Sequence, residues 1–212
     1  GLDYLAPALP DFLSAYPDIA LELSLDDRMI DLIADRFDAA LRISALEDSS
    51  FFARQLAPVR LMVVAAPSYW QARGKPARPA DLTEHACFRY ANLPSGVTWR
   101  FIDRKGVETA VRVDGPLCVN NGAAEMPALR AGLGVALLPD FIVWRDLAEG
   151  RFQRLLLVHA LVFHQLQSGA RHVRLLMCHA GGGAANPSDS QLILLGMYYQ
   201  CSREQSMKIR IR

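Results

Sequence analysis

The stretch Leu117–Pro139, LCVNNGAAEMPALRAGLGVALLP, constrains this chain more than any other, because strand, turn, helix, stop and strand follow one another without a gap. Leu117-Cys118-Val119 is an apolar run broken by the turn formers Asn120-Asn121-Gly122. Asn121 suits an N-cap, since its side-chain oxygen can accept from a free backbone N–H of a first helical turn. A helix is predicted over Ala123–Ala131, with Pro127 as the residue that kinks or delays it. Gly132 and Gly134 suit its end, where glycine tolerates the left-handed conformation. Val135-Ala136-Leu137-Leu138 then reads as a short buried strand closed by Pro139. A strand feeding a helix through Asn-Asn-Gly leaves backbone donors aimed at one place, which suits a small anion or a carbonyl.

The rest of the chain continues the alternation. An amphipathic helix is predicted over 2–16, with Leu2, Leu5, Leu9, Phe12, Leu13 and Tyr16 on one side and Pro7 and Pro10 interrupting it. Ile19–Leu25 alternates with a period of two, Arg28–Phe37 reads as a helix and Asp38–Ile43 as a strand. That β–α–β rhythm predicts parallel pairing of the two strands. Strands over Phe52–Leu56 and Arg60–Ala65 follow, then a helix opened by Pro67. The connector RGKPARPADLTEH, rich in proline and charge, reads as a boundary between lobes. Past it come a strand over Cys87–Tyr90, a hairpin over Trp99–Val113 turning at Arg104-Lys105-Gly106, a helix over Asp140–Glu149 and a strand over Arg151–Val158. The expected division is therefore a first subdomain of 1–85 with 151–158, a second of 86–150, and a divergent tail of 159–212. In the tail, Leu161–Leu166 and Val173–Met177 are isolated apolar pieces, 180–190 has linker composition, and KIRIR is a basic stub.

The totals narrow the function classes. Lys and Arg number 23 against 22 Asp and Glu, so the net charge of +1 calls for neither nucleic acid nor a membrane surface. No apolar run approaches the roughly 18 residues that span a bilayer. GLDYLAPALPDF lacks a basic segment ahead of an apolar one and does not read as a signal peptide. The four cysteines are scattered without a C-x-x-C pair, as expected of a reducing, cytoplasmic compartment. Gly132-x-Gly134 follows a helix where a dinucleotide loop would precede one, and neither a phosphate-binding G-x-x-x-x-G-K nor a G-x-S-x-G elbow occurs. His159, His164, His172, Cys178 and His179 lack metal-ligand spacing. No catalytic set emerges, so a non-enzyme without metal or cofactor is expected.

Four phrases carry a family resemblance: FLSAYPDIALELSL, IDLIADRFDAALRIS, LAPVRLMVVAAPSYWQARGKPARPADLTEHACFRY and LCVNNGAAEMPALRAGLGVALLPDFIV. In order and spacing they resemble the effector-binding domain of LysR-type transcriptional regulators, up to about residue 158. The resemblance implies an α/β fold of two Rossmann-like subdomains joined by crossover strands, like a type 2 periplasmic binding protein. A small, anionic metabolite would sit in the cleft between them. The family's winged helix-turn-helix, its linker helix and the first strand of the effector domain have no counterpart in the sequence, and the family wording does not continue past RFQRLLLV.

By resemblance, Ser44 and Ala45 after DAALRI, Asn92, Leu93 and Pro94 after CFRYA, Asn120 and Asn121, and Leu138 and Pro139 face the effector. Arg42 reads either as a contact for an anionic effector or as an outward structural arginine, and Trp99 and Phe101 read as packing residues. The resemblance also implies a homodimer or tetramer, pairing helix 2–16 and strand 19–25 of one subunit with the helix near 121–131 of another. DNA would be touched only through the missing head, and no membrane partner is implied. The alternative is a solute-binding protein of a transporter with the same fold, which the sequence upstream of Gly1 would distinguish.

Overall fold

Two stretches of strand-forming sequence, one at each side of Val59, seed two separate units of the chain. In a computed structural model, unit 1 comprises Gly1–Val59 with Val173–Arg212, and unit 2 comprises Arg60–His172. The structure describes residues 5–25, 37–44, 51–92, 95–103, 105–155, 159–160, 173–180 and 207–211; within strands 39–44, 51–58, 159–160, 173–180 and 207–211 it describes the backbone. The helix predicted over 28–37 lies almost wholly outside the described residues.

Unit 1 begins with a 3-10 turn, Ala6–Ala8, and helix α1, Leu9–Ala15. Pro7 and Pro10 occupy the opening turns of these two elements, where a missing N–H costs nothing. The single helix predicted over 2–16 is therefore divided at its prolines, while Leu5, Ala8 and Phe12 still form the buried side. Strands β1 (Leu21–Leu25), β2 (Ala39–Ser44) and β3 (Phe51–Val59) follow. Pro58 is tolerated inside β3 because, among the described residues, that strand has one neighbour and forms an edge of the sheet.

The remaining two strands of this sheet come from the far end of the sequence. Val173–Ala180 lies antiparallel between β2 and β3, and Met207–Ile211 lies antiparallel between β1 and β2. The parallel β1–β2 pair expected from the β–α–β rhythm does not form. The two strands run in the same direction, but Met207–Ile211 separates them and takes their hydrogen bonds. The apolar piece at 173 and the basic stub at the end thus become inner strands of the sheet, which corrects their reading as isolated segments. An alternating pattern identifies a strand but says nothing about which strand lies beside it.

Unit 2 is built on β4 (Leu61–Ala65), the middle of a three-stranded antiparallel sheet with β9 (Ala136–Pro139) and β10 (Gln153–Arg154) on its sides. Successive β4 side chains point to opposite faces. Val63 and Ala65 enter one apolar cluster with Tyr69, Trp70 and Leu82, and Val64 enters a second with Phe88, Leu129 and Phe152. Each large side chain removed from water in this way contributes on the order of 1.5–3 kcal/mol before entropy is counted. Helix α2, Pro67–Arg73, supplies Tyr69 and Trp70 and stops at Gly74, where φ is 77°. The connector after it folds into a 3-10 helix, Pro79–Glu84, anchored by fully buried Leu82. The predicted hairpin forms as β6 (Thr98–Ile102) and β7 (Glu108–Arg112), with the Asp103 carboxylate accepting from the N–H groups of Lys105 and Val107 at 2.8 Å each. Trp99 and Phe101 are buried, as a packing role requires.

Candidate functional site

Parallel backbone is confined, among the described residues, to the heart of unit 2. Strand β5 (Arg89–Tyr90) pairs in parallel with β8 (Cys118–Val119), and single parallel bridges join Ala86 to Asp114 and Cys87 to Val135. Hydrogen bonds from Cys87 N to Asp114 O, Phe88 N to Val135 O and Ala91 N to Val119 O, of 2.7–2.8 Å, hold segment 86–91 between the other two. Two glycines make this approach possible. A Cβ on Gly115 would lie 2.2 Å from the Cys87 carbonyl oxygen, and one on Gly134 would lie 2.5 Å from both the Ala86 oxygen and the Phe88 ring. Gly132, at φ 70°, is the left-handed stop that the sequence predicts, but Gly134 serves close strand approach instead.

All three segments run the same way, and their carboxyl ends carry five of the predicted residues: Asn92, Asn120, Asn121, Leu138 and Pro139. The Asn92 side-chain amide donates to the Asn120 carbonyl at 3.4 Å, a long bond that links two of the strand ends. Asn120 and Asn121 are exposed and Asn92 is half-buried. Asn121 caps the following turn, its Oδ1 accepting from Ala123 N at 2.9 Å. That turn is 3-10, Gly122–Glu125, and α3 begins only at Met126 with Pro127 in its first turn. Pro127 therefore delays the α-helix to its own position, because it fits the first turn and no later one.

Leu138 is buried at 2% exposure beneath Gly122, where a Cβ would come within 3.0 Å of Leu138 Cδ2 and 3.1 Å of Ile142 Cδ1. It supports the turn from below. Pro139 precedes helix α4, Asp140–Ala148. Ser44 is the last residue of β2 in unit 1, and Arg42 stands opposite Leu176 in the same strand. Ala45, Leu93 and Pro94 lie outside the described residues.

Two titratable groups, Glu125 and Asp146, escaped the sequence reading. Glu125 is 1% exposed, and its Oε2 has no hydrogen-bond partner. Burial pushes its carboxyl up to about 8. Its position four residues before buried Leu129 was the available signal, since i and i+4 share a helix face. Asp146, equally buried, accepts two bonds from Arg130 at 2.8 and 2.9 Å and one from Arg151 at 2.5 Å. The Arg130 bonds, aided by Arg151, hold its carboxyl below the usual range against the opposing effect of burial. Arg151 also pairs with Glu149. Cys87 is fully buried, and burial pushes its thiol up to about 12, so it packs as an apolar residue. What the strand ends present to solvent is amide and backbone chemistry, suited to hydrogen bonding a polar molecule.

Comparison with known proteins bears on the family and the fold. The family model described as LysR substrate binding domain matches residues 1–176. The match therefore runs past 158, where the quoted phrases end, and reaches into the segment that forms an inner strand of unit 1. An HTH-type transcriptional regulator of Haemophilus influenzae is 32% identical over 176 residues, covering 82% of this chain and 61% of that protein. The HTH-type transcriptional regulator CrgA of Neisseria meningitidis serogroup C is 34% identical over 155 residues, covering 73% of this chain and 51% of that one. Among solved structures, the CrgA regulatory domain from Neisseria meningitidis superposes with a TM-score of 0.73 at 26% identity, covering 93% of this chain and 92% of that domain. The chain spans about half to three-fifths of the length of the curated relatives it matches.

Proposed function

We propose a metabolite-sensing role for this chain, which belongs to the LysR substrate binding domain family and has the type 2 periplasmic-binding-protein α/β fold of LysR regulatory domains. Its family makes it the effector-binding domain of a LysR-type transcriptional regulator. In our reading a small anionic metabolite is held at the Asn120-Asn121-Gly122 turn, with Asn92 and Pro139 beside it. Leu93 and Pro94 belong to that site on the family resemblance alone, and the same resemblance makes Ser44 and Ala45 effector contacts.

One observation carries the placement: the Asn92–Asn120 bond joins the carboxyl ends of two parallel strands, the position at which open α/β sheets hold their ligands. The exposed asparagines offer side-chain amide N–H donors to a polar or negatively charged group. Leu138 contributes by supporting Gly122 from the buried side.

An effector acts by binding one state of the domain better than another, since equal affinity for both shifts nothing. In the full-length regulator that preference would be read out through a DNA-binding head that makes the phosphate contacts, in keeping with this chain's net charge of +1. We read the regulator as a cytoplasmic homodimer or tetramer. Leu13 on α1, exposed at 42%, supports that reading, because the resemblance assigns helix 2–16 to subunit contacts.

A thermal-shift screen of small carboxylates and aromatic acids tests the site. A carboxylate that stabilises the wild-type chain is expected to bind Asn121→Ala about ten- to a hundredfold more weakly, the loss of one charge-assisted hydrogen bond. Equal binding by both chains would move the ligand elsewhere.

A further inference from the structure

Glu125 closes the 3-10 turn that begins at Gly122, directly after the asparagines. Residues three apart eclipse in a 3-10 helix, so Glu125 shares the face by which Gly122 packs on Leu138 and Ile142. That face is apolar: Met126 and Leu129, next along the chain, are buried in one cluster with Leu138 and Val143. The ionisable groups on the packed elements are Cys118 of β8, Arg130 of α3, and Asp140, Arg145 and Asp146 of α4. Arg130 and Asp146 are engaged with each other, and the Asp140 carboxylate has a buried oxygen of its own without a partner. None of these groups contributes to the Glu125 shift, which arises from burial.

A neutral carboxylic acid tolerates such surroundings, whereas a carboxylate without counter-charge does not. Ionisation is relieved most simply by lifting the 3-10 turn off Leu138 and Ile142 until the carboxylate meets water. Asn120 and Asn121 are covalently joined to that turn and would move with it. We propose that Glu125 is a proton-dependent positioning residue for the Asn120-Asn121-Gly122 turn, so that effector affinity falls as Glu125 ionises. The sign follows from the docked state keeping a proton that a lifted, solvated glutamate releases: low pH favours the docked turn, and docking weakens as pH rises from about 4.5 towards 8. This inference deepens the reading of the turn as an effector contact and rests on it.

The test is a proton–nitrogen correlation NMR titration of the 212-residue chain, following the amides of Asn120, Asn121, Gly122 and Ala123. Spectra are taken from about pH 5 to about pH 9 with and without a carboxylate hit whose own pKa lies below that window. In the wild type these amides should shift together, and ligand affinity should drop by up to about tenfold per pH unit. Glu125→Gln, which cannot ionise, and Glu125→Leu, which suits the apolar surroundings, should both give flat profiles. Turn amides that stay flat in the wild type, or a titration that persists in both variants, would overturn the proposal. The outcomes also separate the two readings. Ligand perturbation of these amides without pH dependence refutes the proton link and keeps the site, whereas a Glu125-dependent titration of amides that no ligand touches keeps the link and refutes the site.

Discussion

Unit 1 interleaves strands from residues 21–59 with strands from 173–180 and 207–211, so every pairing in its five-stranded sheet bridges a long stretch of sequence. Unit 2 makes its β6–β7 hairpin locally and closes its distant contacts through β4 with β9 and β10 and through the parallel segments at 86–90, 114–119 and 135. The two therefore fail in different ways. In unit 1 a whole strand can be lost by removing one remote segment. In unit 2 the chain holds together through close backbone approach, so a single methyl group in the wrong place does the damage.

Deleting Met207–Arg212 should have the largest effect. β1 would lose the ladder from Leu21↔Ile211 to Leu25↔Met207, and an unpaired strand is not stable in water. Hydrogen exchange should show protection of 21–25 collapsing, while amides of 61–65 and 136–139 exchange as before. Retained protection in 21–25 would refute the observed strand order, and loss in both units would erase the distinction between them.

Gly134→Val is the complementary break in unit 2. Its side chain would start 2.5 Å from the Ala86 oxygen, backbone that cannot step aside without parting the parallel segments. Overpacking of this severity should cost about 3 kcal/mol or more, read as a shift in denaturant midpoint. Protection in unit 1 should be unchanged.

Asp146→Ala ranks next, at about 1–3 kcal/mol, because it leaves the half-exposed guanidinium groups of Arg130 and Arg151 without their buried partner. The same pair sets an acid limit for unit 2. A carboxyl held below its unfolded value stabilises fully above that value and loses the contribution as pH falls through the folded one. Wild-type stability should thus drop below about pH 4 through this group, and Asp146→Asn should lack that component in acid-unfolding curves.

How far the sequence could be read follows the same division. Leu117–Pro139 was legible almost residue by residue: Asn121 caps, Pro127 delays the α-helix, Gly132 stops it, and β9 ends at Pro139. All of those signals are local. Gly134 was misjudged because its demand comes from Ala86 and Phe88 on another segment, and Glu125 was overlooked because its burial depends on how the turn packs rather than on the residues beside it in sequence. In unit 1, KIRIR does alternate with a strand's period, but nothing within it names β1 and β2 as neighbours. The site residues divide likewise. Asn92 and Asn120 meet through a bond between parallel strand ends, whereas Ser44 and Ala45 remain proposals resting on resemblance.

The most direct test of effector binding at the parallel strand ends is an amide chemical-shift map of the chain titrated with the best carboxylate from the screen. Saturable shifts confined to 91–92, 120–123 and 139–140, and weakened in Asn121→Ala, are the predicted result. Saturable shifts that leave those residues untouched would contradict it.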